Sequence, residues 1–386
     1  MKKITLIGLF ADRNLGDPII GCTTEYLIKE MLHPSNIVFE RINLAYTDTN
    51  KSLMNRIWEK VLIKLFGIHD DSFLLTNSIR NKEYFDKVLV DTDCIVIVGG
   101  GLIKFSTQYF GEAIKAICNR ACQLHIPVIL NSIGIEGYDE TNTRCLTLKK
   151  ILKSPSIISI STRDDIETLK LKYLDDKPKH ILIEKVADPA VWAADAYNIT
   201  PTQASNVIGV NIGRANLFKD YGRGITKTHL LQVYSDSVKR IMQFGFEVEL
   251  FTNGLDSDTR FARELEVFLN KQKCFPLIKI PNSAQDLIRI ISRYKGIVAT
   301  RLHASIIAYS MNIPAISLMW NEKIKFFYNN IGNPEYCLED KLITPDIIIE
   351  TLNIAIKKGY NQNVRNEYRL SIKENLSKIF KTLKNY

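Results

Sequence analysis

In residues 296–321, GIVATRLHASIIAYSMNIPAISLMWN, a short apolar run, an Arg-Leu-His triplet, a second apolar run and a polar exit follow one another. Gly296-Ile-Val-Ala299 is too short for a helix and reads as a buried strand. Residues 305–311 are compatible with a helix, and Pro314 breaks the chain before a second strand, Pro314-Ala-Ile-Ser-Leu318. Strand, loop, helix, strand is the repeating unit of a parallel α/β sheet. Thr300, Arg301 and His303 then fall where one strand ends and its crossover helix begins, the edge of an open sheet at which ligands bind. A helix N-terminus favours anions, and an arginine fork takes phosphate or carboxylate oxygens in pairs. The spacing alone fits equally well an exposed arginine beside a helix-capping histidine.

The chain has 386 residues, enough for two domains, and its 46% hydrophobic and 24% charged residues are those of a globular protein. The net charge of +9 fits nucleic acid, anionic headgroups or an acidic small substrate. Zinc-finger spacing, a helix-turn-helix pattern and an aromatic-basic RNA signature are all missing, so no nucleic-acid partner is expected. The opening MKKITLIGLF places a basic pair before an apolar run, but Asp12-Arg13-Asn14 ends that run without a cleavage site, and it reads as a first strand. The sequence contains no apolar run of the length a membrane-spanning helix needs. Seven cysteines, an odd number lying mostly in apolar segments, predict reduced thiols and a cytoplasmic location. Cys118 and Cys122 lack partners at zinc spacing and read as core.

Outward from the first stretch the same unit recurs. The first strand leads into Ala-Asp-Arg-Asn14-Leu-Gly16-Asp17-Pro18, with Asp17 placed to cap a helix that has Pro18 at its first position. Residues 52–66 form a basic amphipathic pattern that suits packing on a sheet or resting on a membrane surface. Asp93-Cys-Ile-Val-Ile-Val98 runs into Gly99-Gly100-Gly101, a loop stripped of side chains that allows close helix packing or close approach of a ligand. Asp91-Thr-Asp93 has the look of a metal motif, but it precedes its strand where a ligand-facing pair should follow one. Further strands end at Asn131-Ser-Ile-Gly134 and at Ser161, where Arg163 sits beside Asp164 and Asp165. The turn-rich residues 198–205 read as a linker. A second series follows, with a strand ending at Asn211-Ile-Gly213-Arg214 and a last strand ending at Trp320-Asn321. The predicted organisation is an N-terminal Rossmann-like domain over 1–197, a C-terminal one over 206–365 carrying the Arg-Leu-His loop, and a basic helix over 366–386. That helix is a candidate for crossing back to the first domain or touching a membrane. Two doubly wound α/β domains facing a cleft are the GT-B architecture.

Taken together, Asn14-Leu-Gly-Asp17, Gly99-Gly100-Gly101, Asn131-Ser-Ile-Gly134, Ser161-Thr-Arg163-Asp164, Asp188-Pro-Ala190, Gly209-Val-Asn-Ile-Gly213 and Thr300-Arg-Leu-His-Ala304 resemble the polysaccharide pyruvyl transferase family over nearly the whole chain. The resemblance implies an enzyme that moves the enolpyruvyl group of phosphoenolpyruvate onto a sugar as a ketal and releases phosphate. The saccharide acceptor would be nucleotide-linked, lipid-linked or polymeric. By the same resemblance, Arg163 and Arg301 bind the phosphate and carboxylate. His303 either protonates the methylene carbon or protonates the departing phosphate. Asp17 is the candidate base for the acceptor hydroxyl, although the family commonly has an acidic residue where this chain has Pro18. Asn14, Gly16, Gly100, Gly101, Asn211, Arg214 and Asn321 complete the expected substrate contacts. Neither a metal nor a cofactor is expected, since arginines can neutralise the phosphate and no ligand cluster is visible. The alternative is a GT-B glycosyltransferase in which Arg301 would hold a nucleotide-sugar diphosphate.

Overall fold

The computed structural model describes residues 2–11, 13–32, 37–44, 81–104, 110–176, 178–202 and 205–383. The amphipathic pattern at 52–66 lies outside them. Contacts divide the chain into two compact units, residues 1–10 with 32–185, and residues 11–31 with 186–386. The chain therefore passes between units three times. The turn-rich 198–205 segment belongs to the second unit, where Thr202 N–H donates to the Ser292 carbonyl at 2.8 Å and Ser205 Oγ to that of Arg293 at 2.5 Å. Turn-forming composition marks an exposed loop, whereas a domain boundary is a loss of contacts, and here the two do not coincide.

In the first unit, β1 (Lys2–Gly8), β2 (Ile37–Asn43), β3 (Cys94–Val98), β5 (Val128–Ile133), β7 (Ile157–Thr162) and β8 (Leu182–Lys185) form one parallel sheet in the order β2-β1-β3-β5-β7-β8. A two-stranded parallel sheet, β4 (Ile103–Lys104) with β6 (Ile135–Glu136), forms immediately beyond the ends of β3 and β5. The apolar runs of β3 and β5 are buried along their whole length, as strands covered on both faces must be. Asp93 and Thr92, at the entrance to β3, bind Lys3 N–H (2.7 Å) and the Thr5 hydroxyl (2.8 Å), which are structural contacts.

In the second unit, β9 (Val207–Asn211), β10 (Glu247–Phe251), β11 (Leu277–Lys279), β12 (Gly296–Ala299), β13 (Ala315–Met319) and β14 (Cys337–Glu339) are parallel in the order β11-β10-β9-β12-β13-β14. Numbered from β9, that is the 3-2-1-4-5-6 order of a dinucleotide-binding sheet, with its switch point between β9 and β12. Side chains cap the helices that cover this sheet. Thr226 accepts from His229 N–H (3.2 Å), Ser283 from Asp286 N–H (3.1 Å), and Thr344, with Pro345 behind it, from Ile347 N–H (3.4 Å). The C-terminal helix Gln362–Leu383 packs on the 187–195 segment. The Arg369 guanidinium lies 3.9 Å from the centre of the Trp192 ring, and Trp192 Nε1 donates to the Arg369 carbonyl at 2.9 Å.

All seven cysteines are free, and burial pushes the Cys94 and Cys118 thiols up to about 12, leaving them as inert core groups. Among the described residues no helix is long and apolar enough to cross a membrane.

Gly209 in β9 leaves room for the ring of Tyr294. A Cβ there would lie 2.4 Å from the ring's Cδ2 and 3.0 Å from Phe251. Gly209→Ala should destabilise the protein by about 1–3 kcal/mol, read as a lower urea midpoint with an unchanged m-value.

Candidate functional site

The ends of β9, β10 and β12 meet at the switch point of the second sheet, and the carboxamide of Asn211 ties them together. Its Nδ2 donates to Asn253 Oδ1 at 2.9 Å, while its Oδ1 accepts from Arg301 N–H at 2.8 Å and Thr300 N–H at 3.3 Å. Below the loop, the Thr300 and Tyr234 hydroxyls are 2.5 Å apart, and burial pushes the Tyr234 phenol up to about 12. Trp320 Nε1 donates to the Thr300 carbonyl at 2.6 Å.

Arg301 is the N-cap of the helix Leu302–Ser310, which begins earlier than its apolar pattern suggests and carries His303 in its first turn. The Arg301 side chain makes a two-pronged pair with Asp258, Nε to Oδ2 at 2.8 Å and Nη2 to Oδ1 at 2.5 Å, and Asp258 is fully buried. The pair uses the Nε–Nη2 edge, so the Nη1 corner of the guanidinium points away from Asp258. The indole of Trp320 lies 5.9 Å from the guanidinium carbon.

Residues of the first loop belong to this unit. Leu15 N–H donates to the Asn253 carbonyl at 3.0 Å, and Arg13 pairs with Asp256. The helix Gly16–Leu32 starts directly against His303, where a Cβ on Gly16 would sit 2.1 Å from the imidazole Nδ1 and 2.7 Å from His303 Cβ. Gly16 is glycine because the histidine occupies its side-chain space. Asp17 lies in the first turn and is not the cap. Its Oδ2 accepts from Asn14 Nδ2 at 2.9 Å. On the other side of the imidazole, Nε2 lies 3.7 Å from Oδ2 of Asp188, a residue only 1% exposed.

Two expected contacts have local partners. Arg214 pairs with Asp220, and Asn321 caps the helix Glu322–Asn330 by accepting from Lys323 N–H at 3.0 Å.

In the first unit, Gly100, Gly101 and Arg163 lie at the ends of β3 and β7. Gly134 N–H donates to the Gly100 carbonyl at 2.7 Å, and a Cβ on Gly134 would meet that carbonyl at 3.1 Å and Gly101 Cα at 3.2 Å. Lys104 pairs with Glu136 at 2.7 Å across the β4–β6 sheet. Arg163 is buried beside Asp164. Burial raises the Asp164 carboxyl, the Arg163 charge opposes this most strongly, and Asp164 Oδ1 accepts from the N–H groups of Ile135 and Asp165, each at 2.9 Å.

Sequence reasoning assigned no role to Asp258 or Asn253. An acidic residue in the first turn of the helix Asp256–Asn270 normally faces solvent, so no local signal separates it from Asp256. Asp188 was visible only within the Asp188-Pro-Ala190 motif, with no role assigned to it, and its carboxylate accepts from Ala190 N–H at 2.9 Å. Its second oxygen faces His303 only because of the tertiary fold.

The sequence profile of the family described as polysaccharide pyruvyl transferase matches residues 14–322. No curated protein matches the sequence. Among solved structures, the chain is similar to a UDP-GlcNAc 2-epimerase from Neisseria meningitidis bound to UDP-GlcNAc (TM-score 0.59, 14% identity, 100% of each chain covered). It is similar to the UDP-GlcNAc 2-epimerase from Methanocaldococcus jannaschii (TM-score 0.61, 13% identity, 100% of each chain). A trehalose-6-phosphate synthase also aligns (TM-score 0.57, 10% identity, 99% of this chain and 98% of that one). At these identities the likeness is one of fold, and the fold is GT-B-like.

Removing one partner of the Arg301–Asp258 pair leaves the other charge buried. Asp258→Ala should therefore cost about 3–5 kcal/mol of stability, measured by urea unfolding. The double variant Asp258→Ala with Arg301→Met should recover part of that loss.

Proposed function

The chain belongs to the polysaccharide pyruvyl transferase family, and from that premise we propose that it transfers the enolpyruvyl group of phosphoenolpyruvate to two hydroxyls of a surface-polysaccharide sugar, or of its precursor, as a cyclic ketal. The observation that carries this reading is the Thr300-Arg301-Leu302-His303 loop at the switch point of the second sheet, with an arginine held by Asp258 and a histidine lodged between Gly16 and Asp188. In the reaction, the methylene carbon of phosphoenolpyruvate takes a proton, and the neighbouring carbon becomes oxocarbenium-like. One sugar hydroxyl adds to it, phosphate leaves, and a second hydroxyl closes the ring. The two hydroxyl protons end on the new methyl group and on the released phosphate.

Arg301 suits the anion because its orientation is set before binding, so little side-chain entropy is lost on contact. Trp320 and the Asp258 pair provide that orientation. His303 is the proposed proton donor, to carbon or to the departing phosphate. Asp17, held by Asn14, is the proposed base for the acceptor hydroxyl, and Asn211 sets the loop backbone. Arg163 keeps the role of oxyanion ligand that the family resemblance gives it. The reaction as proposed needs no metal or cofactor beyond phosphoenolpyruvate as co-substrate, and places the protein in the cytoplasm, with peripheral membrane contact through its basic helix.

A glycosyltransferase using a nucleotide-sugar is the second reading. It is favoured by the fold shared with a structure bound to UDP-GlcNAc. The same likeness is compatible with a nucleotide-linked acceptor for pyruvyl transfer.

Phosphate should be released from phosphoenolpyruvate only when a saccharide acceptor is supplied. His303→Ala should lower that rate at least about 100-fold with little change in melting temperature, whereas Arg301→Ala should lower the rate at least about 100-fold and also lower the melting temperature, because it leaves the buried Asp258 carboxylate unpaired. Sugar transfer from a nucleotide-sugar without any phosphoenolpyruvate turnover would establish the glycosyltransferase instead.

A further inference from the structure

His303 sits in the first turn of its helix. At the Nδ1 edge of the ring Gly16 contributes no side chain, since a Cβ there would lie 2.1 Å from that nitrogen. The other nitrogen, Nε2, faces the Asp188 carboxylate at 3.7 Å. Both side chains are buried, at 7% and 1% exposure, and a carboxylate facing one ring nitrogen favours the tautomer that carries its proton there.

Asp188 is itself held from several directions. Its Oδ1 accepts from Ala190 N–H at 2.9 Å, which leaves Oδ2 turned to the histidine. The C-terminal helix grips the backbone at this point. Ser371 Oγ accepts from Ala187 N–H at 2.9 Å, and the Tyr368 hydroxyl hydrogen-bonds to the Asp188 backbone. The same turn of the helix is fastened further along the segment, where Arg369 Nε donates to the Val191 carbonyl at 3.1 Å and its Nη2 pairs with Asp195 at 2.5 Å. A basic terminal helix commonly serves only solubility or packing. In this one, Ser371 and Tyr368 hold the backbone of Ala187 and of Asp188, whose carboxylate faces His303.

We propose that Asp188 is the positioning residue for His303, holding Nε2–H so that Nδ1 is the nitrogen that exchanges a proton in the reaction, and that the C-terminal helix keeps Asp188 in place through Ser371 and Tyr368. Asp188 makes no contact with substrate in this scheme. It acts through the ring, and the helix acts through Asp188. The kinetic consequence rests on the pyruvyl transfer proposed above, whereas the state of the ring does not.

The test uses the full-length protein labelled with ring-15N histidine, with the His303 signals assigned by their loss in His303→Ala. The wild type should show one tautomer, protonated at Nε2. Asp188→Asn retains the cap on Ala190 and should give mixed-tautomer ring shifts. Ser371→Ala should move the ring shifts partway in the same direction, and Ser371→Thr, which keeps the hydroxyl, should restore them. In the phosphoenolpyruvate assay, Asp188→Asn should lower kcat about 100-fold with KM for phosphoenolpyruvate unchanged. Ser371→Ala should lower kcat about fivefold, the equivalent of one neutral hydrogen bond. His303 ring shifts identical in the wild type and Asp188→Asn would overturn the proposal. Shifts altered in Asp188→Asn but untouched in Ser371→Ala and Tyr368→Phe would overturn the role of the helix. If the ring shifts respond as expected while the wild type has no phosphoenolpyruvate turnover, the positioning role stands and the pyruvyl transfer falls. Should Asp188→Asn fail to fold, the Ser371 and Tyr368 variants carry the same readout.

Discussion

One carboxamide holds the second unit's strand ends in register. Asn211 sits at the end of the first strand of its sheet and bonds both to the loop after β10 and to the backbone of the loop after β12. A buried amide can do this because it donates and accepts at once, and a buried polar group that is satisfied on both sides rigidifies what it joins. The positions of Arg301 and His303 therefore derive from the sheet itself. The first loop is attached to the same joint, since Leu15 bonds to the carbonyl of Asn253, the residue that Asn211 holds.

Space and charge are both tightly allocated around this joint. Gly16 gives up its side-chain volume to the imidazole, and Asp258 neutralises the guanidinium it orients. An arginine paired in this way contributes little net charge to a ligand, so its value lies in direction. The remaining corner of the fork is aimed in advance, and a bound oxyanion would not have to order a long flexible side chain. A histidine between a backbone and a carboxylate is constrained in the same sense. Its ring is placed by contacts from two segments far apart in the chain.

Much of the fold was legible in the residues. Apolar runs such as Cys94–Val98 and Ala315–Met319 are buried at every position, and parallel strands covered on both faces must read that way. The loops at strand ends were legible too, because glycine, asparagine and arginine after an apolar run have few other uses. Helix starts were less so. Leu302–Ser310 begins before its periodic residues, and Gly16–Leu32 begins ahead of the Asp-Pro pair that looked like its cap, because an N-terminus is set by tertiary contacts as well as by capping chemistry. The grouping of residues 11–31 with 186–386 left no local trace, since a linker composition reports exposure and not which elements pack together.

The sequence by itself determined the fold class, the strand-end positions of Arg163, Arg301 and His303, and the family that those motifs resemble. Each of these is written in neighbouring residues, through periodicity, breaks and spacing. Tertiary structure alone decided that Asp258 holds Arg301, that Gly16 and Asp188 enclose His303, and that the terminal helix grips the chain at Ala187 and Asp188. Those pairings join residues distant in the chain. Their partners are selected by close packing and by the need to satisfy buried charge, which act only once the sheets have formed.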